Sequence, residues 1–294
     1  MAEELLAGIE AGGTKFICAV ARSHDDIVDR ARIDTTDPET TIGRCLEFFA
    51  GFDDITSMGI ASFGPLELRE IDDRYGHITE TPKAGWGGTD LVGPFVEALD
   101  VPLAIDTDVN GAALAESRWG AATDVGSCLY LTLGTGIGGG AVIAGRPIHG
   151  LVHPEMGHVS VDRLPGDGFG GICPFHGDCL EGLASGPAVE ARWGRRAEDL
   201  DEMIGEVVRV EAATLASGLR QFVYVLAPER IIIGGGVGKM PGLHDAVSKA
   251  LIERLAGYGV QEEHRSGFVV PPALGDDAGL AGAIALAEDA LGAR

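Results

Sequence analysis

Twice in this chain a short apolar run breaks at a glycine-rich, threonine-bearing turn and resumes as a second apolar run: LLAGIEAGGTKFICAV from Leu5 to Val20, and SCLYLTLGTGIGGGAVIA from Ser127 to Ala144. Each reads as strand, tight turn, strand. The unit is an internal duplication, and it sets the frame for the rest of the chain. In the first copy the central Gly12-Gly13 can adopt φ > 0. The successive N–H groups of such a turn, with Thr14 and Lys15 beside them, form a natural phosphate cradle. A plain hairpin turn accounts for the glycine pair equally well. In the second copy the turn is read over Gly134 to Gly140 and the returning strand over Ala141 to Ala144. GTGIGGG contains a G-x-G-x-x-G match, but no helix follows at once, which argues against a dinucleotide-binding unit.

Between and after the duplicated units, strands and helices alternate. A strand is predicted near Ile27 to Ile33, a capped helix over TTDPETTIGRCLEFFA, a strand at Ser57 to Ser62, a glycine- and proline-bearing loop over Asp72 to Gly88, a helix at Asp90 to Leu99 and a strand at Val101 to Ile105. The segment DTDVNGAALAESRWG then carries acids from a strand end straight into an alanine-rich helix. In an α/β protein ligands bind at such a place, although Asp106 or Asp108 could simply cap the helix. Helices are read from near Ser185, over Glu202 to Leu226 and over Pro241 to Tyr258, and strands at Arg230 to Ile233 and Phe268 to Val270. A closing helix begins near Asp277. After Ile233 the run Gly234-Gly-Gly-Val-Gly238 lets backbone approach a bound nucleotide closely.

The stretch from Pro154 to Glu181 holds His158, Cys173, His176 and Cys179 in the spacing H-x14-C-x2-H-x2-C. Four N and S donors in a glycine-rich loop are what a tetrahedral structural zinc needs, with no coordination position left for water. Two buried thiols beside two surface histidines are the plainer alternative. The other three cysteines, Cys18, Cys45 and Cys128, read as buried free thiols, which points to a reducing compartment. No secretory leader and no apolar run of membrane-spanning length is visible, so a cytoplasmic location is expected. Acidic residues number 45 against 22 basic, a net charge of −23. A field of that sign repels nucleic acid and anionic lipid, which disfavours both as partners.

Two threonine-bearing glycine hairpins, an acid at a strand end and a third glycine loop point together to a two-lobed phosphotransferase. The chain resembles the sugar kinases of the ROK family, within the actin-like ATPase superfamily, and most closely their bacterial fructokinase branch. GIEAGGTK (Gly8 to Lys15) is similar to that family's first phosphate loop, LGTGIGGG (Leu133 to Gly140) to its second, and IIIGGGV (Ile231 to Val237) to its nucleotide-binding segment. DTDVNGAALAE is similar to the catalytic segment, HPEMGH to the sugar loop, and CPFHGDCLEGLASGPA to the fructokinase form of the zinc loop. Three departures from the wider family lean away from glucokinases. Glu10 stands where many superfamily members have Asp, Thr107 stands where many glucokinases have Asn, and one histidine with two cysteines follows His158 where three cysteines are commoner.

The resemblance implies an α/β, two-lobed actin-like ATPase (ribonuclease H-like) fold, each lobe a mixed sheet flanked by helices, with a zinc-stapled loop. The small lobe would span 1–107 and be completed by the C-terminal helix, about 278–294; the large lobe would span 108–277. It implies ATP-dependent phosphorylation of D-fructose to fructose 6-phosphate, with Asp108 as general base. Glu155 and Glu181 would hold sugar hydroxyls. Glu10 would hold the water shell of Mg²⁺, and Gly12, Gly13, Thr14, Lys15, Gly134, Thr135 and Gly136 would contact phosphates. Pro187 and Gly234, Gly235, Gly236 and Val237 would lie by the nucleotide, and His158, Cys173, His176 and Cys179 would hold structural Zn²⁺. A homodimer is implied as well. The alternatives are a ROK hexokinase preferring mannose, glucose or N-acetylmannosamine, or a non-catalytic sugar-sensing ROK protein.

Overall fold

Apolar residues run almost without a break along both strands of the first hairpin, so both of its faces are buried, each against a different partner. The computed structural model describes residues 4–200, 203–259, 261, 264 and 267–292. In chain order the elements are β1 (Leu5–Ala11), β2 (Lys15–Ser23), β3 (Asp26–Asp34), α1 (Pro38–Phe49), β4 (Ile55–Ser62), α2 (Gly93–Leu99), β5 (Leu103–Thr107) and α3 (Asp108–Trp119). There follow β6 (Ser127–Leu133), β7 (Ile137–Ile143), β8 (Arg146–Pro147), α4 (Leu180–Ala184), α5 (Gly186–Trp193) and α6 (Ile204–Leu226). The last are β9 (Arg230–Gly234), α7 (Gly235–Gly238), α8 (Leu243–Leu255), β10 (Val269–Val270) and α9 (Ala278–Gly292). Glu202, where a helix start is expected from the sequence, lies outside the described residues. Two units emerge: 1–115 with 147–154 and 276–294, and 116–146 with 155–275. Each contains one mixed five-stranded sheet flanked by helices, the α/β class expected from the sequence.

In the first unit the strand order is β3-β2-β1-β4-β5. The hairpin and β3 are antiparallel, while β4 and β5 run parallel to β1. Ala7, Ile9 and Ala11 of β1 enter a core with Phe16, Cys45, Phe49, Met58, Ile60 and Phe95. Helix α1 covers that face because Asp37 caps it, accepting from the Thr40 N–H at 2.9 Å, and because Ile42, Cys45 and Phe49 fall on one side. On the other face the small residues of α9 bring backbone against strand: a Cβ at Gly59 would collide with the Ala283 carbonyl and the Ala287 N–H. Gly111 of α3 and Gly282 of α9 meet backbone to backbone in the same way.

The second unit orders its strands β10-β9-β6-β7-β8. Gly138–Gly140, read from the sequence as part of a turn, lie inside β7. The reason is packing: a Cβ at Gly139 would sit 2.7 Å from the Met156 sulfur and 2.8 Å from Leu131. Helix α4, missing from the sequence reading, is a short turn ahead of α5 whose Leu180 fills the space over Gly218 of α6. Among the described residues no helix is long and apolar enough to cross a membrane.

Helix α6 also buries a carboxyl. Glu211 is 0% exposed and neither of its oxygens has a hydrogen-bond partner among the described residues. Burial pushes its pKa from the ordinary 4.5 up to about 8, with the Arg192 guanidinium opposing. The native state therefore keeps a proton that the unfolded chain gives up near pH 4.5, so stability falls as pH rises from that value to about 8. A difference of one bound proton between the two states is worth about 1.4 kcal/mol for every pH step of one. Glu211→Gln should flatten this part of the profile and leave the variant the more stable protein at about pH 8. Thermal melts of both proteins from mildly acidic to mildly alkaline pH check it; parallel profiles would count against a neutral buried Glu211.

Candidate active site and metal-binding loop

The register of the first sheet lines up Ala11 of β1 with Ser62 of β4, and Ser62 with Thr107 of β5. The Gly12–Thr14 turn and Asp108 therefore leave the same C-terminal edge, as expected for ligand sites on parallel strands. With strands about 4.8 Å apart, the two lie roughly 10 Å from each other.

The turn itself does not use the freedom that its glycines allow. Neither Gly12 nor Gly13 has positive φ. Gly12 is instead required by close approach: its N–H donates to the Lys15 carbonyl at 2.9 Å, and a Cβ there would fall 2.9 Å from that same oxygen. Thr35 fastens the turn from outside, its hydroxyl donating to the Gly12 carbonyl at 2.8 Å. Gly13, Thr14 and Lys15 are exposed. Glu10, just ahead of the turn on β1, is half-buried against Gly279. Burial raises its pKa, with Lys15 and Arg30 opposing and Asp277 and Asp276 adding to the rise.

At the end of β5 the two acids part ways. Asp106 is 3% exposed, and both its oxygens are engaged. Oδ1 accepts from the Thr107 N–H at 2.7 Å and from Asn110 Nδ2 at 2.8 Å, and Oδ2 lies 2.8 Å from His149 Nε2. Thr107 takes the capping role that the sequence left to an aspartate, its hydroxyl accepting from the Asn110 N–H at 3.2 Å. Asp108 opens α3, with Oδ1 accepting from the Val109 N–H at 2.9 Å. His149 and Asn110 went unnoticed in the sequence. His149 lies 43 positions from Asp106 in a segment without periodicity, so nothing local announces the pair.

In the second unit the corresponding edge gathers the other glycine segments. Thr132 of β6 pairs with Gly234 of β9, so the Gly134–Gly136 turn and α7 leave side by side. Gly235 must be glycine, with φ of 82° and a Cβ position 2.5 Å from the Leu133 backbone. The segment Gly235–Gly238, read from the sequence as a loop, forms one helical turn. The Gly186 N–H donates to the Gly134 carbonyl at 2.8 Å, which sets Pro187 and the start of α5 beside the same turn.

Glu181 on α4 accepts the Ile137 N–H at 3.0 Å. Gly157, two residues after Glu155, is pressed against the Ile137 carbonyl. One residue of β7 thus fixes the segments of both acids.

The loop that carries the four candidate metal ligands is closed by its own backbone. Cys173 and Gly177 exchange N–H···O=C bonds of 3.1 and 2.9 Å around a turn in which Gly177 has φ of 65°. The Leu180 N–H donates to the Val159 carbonyl at 3.0 Å. The donor atoms of His158, Cys173, His176 and Cys179 all lie within 4.8 Å of one another. His158 Nδ1 is 3.7 Å from each of the two sulfurs, and His176 Nδ1 is 3.8 Å from Cys173 Sγ. Zinc bonds of about 2.3 Å to sulfur and about 2.0–2.1 Å to nitrogen make a tetrahedral S···N edge of about 3.5 Å. The three S···N distances match such an edge within a few tenths of an ångström, so the donor set is suited to a zinc ion.

The sequence profile of the ROK family matches residues 6–290. The chain belongs to the ROK family. It is 44% identical over 293 residues to a putative fructokinase of Bacillus subtilis, covering 99% of this chain and 97% of that one. It is 45% identical over 289 residues to the fructokinase of Zymomonas mobilis, covering 95% of each. Among solved structures, the ROK hexokinase of Thermus thermophilus superposes with a TM-score of 0.81 at 27% identity, over 99% of this chain and 100% of the other. The two mixed sheets are those of this fold.

Proposed function

We propose that this ROK protein is an ATP-dependent fructokinase that phosphorylates D-fructose at its 6-hydroxyl. The observation that carries the reading is the near full-length similarity, at 44–45% identity, to proteins named fructokinase. The two glycine turns and the strand-end acid support it independently as phosphoryl-transfer machinery.

Bound Mg²⁺–ATP supplies an electrophilic phosphorus whose charge the cation neutralises. The exposed turn residues Gly13, Thr14 and Lys15, with Gly12, are suited to phosphate oxygens, as are Gly134, Thr135 and Gly136. Gly234, Gly235, Gly236, Val237 and Pro187 are suited to the nucleotide. Glu10 fits the water shell of a magnesium ion: a half-buried carboxyl disfavoured as an anion gains from a nearby divalent cation. Asp108 accepts the proton of the attacking hydroxyl, and Glu155 and Glu181 orient others by charge-assisted hydrogen bonds. His158, Cys173, His176 and Cys179 hold a structural Zn²⁺, with no coordination position left for chemistry. The reading extends to a cytoplasmic homodimer.

Steady-state kinetics with fructose, mannose and glucose under ATP and Mg²⁺ test the proposal. Fructose should give the highest kcat/KM. A clear preference for either aldose would replace fructokinase by a broader hexokinase.

A further inference from the structure

The Asp106–His149 pair lies wholly within the first unit and has no role in the chemistry assigned so far. An ionised carboxylate only accepts hydrogen bonds, so the 2.8 Å contact from His149 Nε2 fixes that nitrogen as a donor. Asn110 Nδ2 lies 3.3 Å from the same ring nitrogen. Both are donors to Asp106, so that approach is packing around a shared acceptor. The ring's other nitrogen, Nδ1, has no hydrogen-bond partner among the described residues. The side chain remains 40% exposed while its anchor is only 4% exposed.

A histidine serving only to neutralise a buried acid has no need of an open edge. This one is held rigidly by a buried carboxylate, and that carboxylate sits two residues from the proposed base. Asp106 also organises the turn that carries Asp108, through its bonds to the Thr107 N–H and Asn110. The position along the sheet edge selects the ligand. The turn suited to phosphate lies two strands away on β1, so a donor beside the β5 end faces the acceptor side of the reaction.

We propose that His149 is a further substrate-contacting residue, which uses Nδ1 to hold a hydroxyl of the hexose while Nε2 stays on Asp106. The inference rests on the kinase reading above. A hydroxyl can donate to this nitrogen or accept from it, so the contact survives either protonation state. The Asp106 hydrogen bond also raises the His149 pKa, with burial opposing, which favours the form that donates at both nitrogens.

The test separates the two edges of the ring. In His149→Gln the amide nitrogen reaches to the place of Nε2 and keeps the Asp106 bond, but nothing replaces Nδ1. The KM for fructose should rise about tenfold, the worth of one hydrogen bond, with the KM for ATP and the melting temperature unchanged. In His149→Ala, Asp106 loses its partner as well, and the melting temperature should fall too. A His149→Gln enzyme with the fructose KM of the wild type overturns the inference and leaves His149 as a partner of Asp106 only. A wild-type protein that phosphorylates no hexose overturns the kinase reading and this inference together, so the two failures are distinguishable.

Discussion

Asp108→Asn is expected to lower kcat for fructose phosphorylation by ~10²–10⁴-fold, the usual worth of general-base assistance, while fructose still binds. Asparagine has nearly the shape of aspartate, and its amide oxygen can still accept the Val109 N–H that Asp108 accepts at 2.9 Å. The start of α3 should therefore be undisturbed and the melting temperature within a degree or two of the wild type. What is lost is a carboxylate able to take the hydroxyl proton.

The neighbouring acid cannot stand in. Asp106 is buried, and its oxygens are already bonded to the Thr107 N–H, Asn110 and His149. For the same reason Asp106→Asn should behave differently, with a lower melting temperature as well as lower activity, because it removes a buried charge-assisted bond. Turnover by Asp108→Asn within tenfold of the wild type would remove Asp108 from the role of base.

The two acids show how far a sequence of this kind can be read. An acid at the end of a strand leading into a helix is visible from pattern alone, because the strand-to-helix switch is itself a change of period. Which of the two is structural is not visible, since the answer lies in His149, far along the chain. The glycine segments divide in the same way. Their presence marks places where backbone comes close to something, but the something differs. At Gly12 it is the Lys15 carbonyl, at Gly139 a methionine and a leucine, and of these three only Gly235 takes positive φ. The α/β architecture was legible because alternation and apolar runs are local. The tight packing of α9 on β4, which depends on Gly59 meeting Ala283, is a property of two segments more than two hundred residues apart.

Cys179→Ser should damage stability and sugar affinity together. If zinc occupies the four-donor loop, losing one thiolate releases binding energy that is also folding energy for the loop. A loss of ~3 kcal/mol would lower the melting temperature by roughly 5–10 °C. The link to function is positional. His158 follows Glu155 by three residues, and its N–H donates to the Glu155 carbonyl at 3.1 Å. Cys179 stands at the head of α4, two residues before Glu181. Two of the four donors thus flank the two acids proposed to hold the sugar, and both acid-bearing segments rest on Ile137. Loosening the loop frees those segments while leaving the Gly12–Thr14 turn of the first unit intact. The KM for fructose should therefore rise at least tenfold, with a much smaller change in the KM for ATP. Elemental analysis should find about one zinc per wild-type chain and little in the variant, and hydrogen exchange should quicken across 155–181. A metal-free protein with the wild-type fructose KM and melting temperature would uncouple the loop from sugar binding.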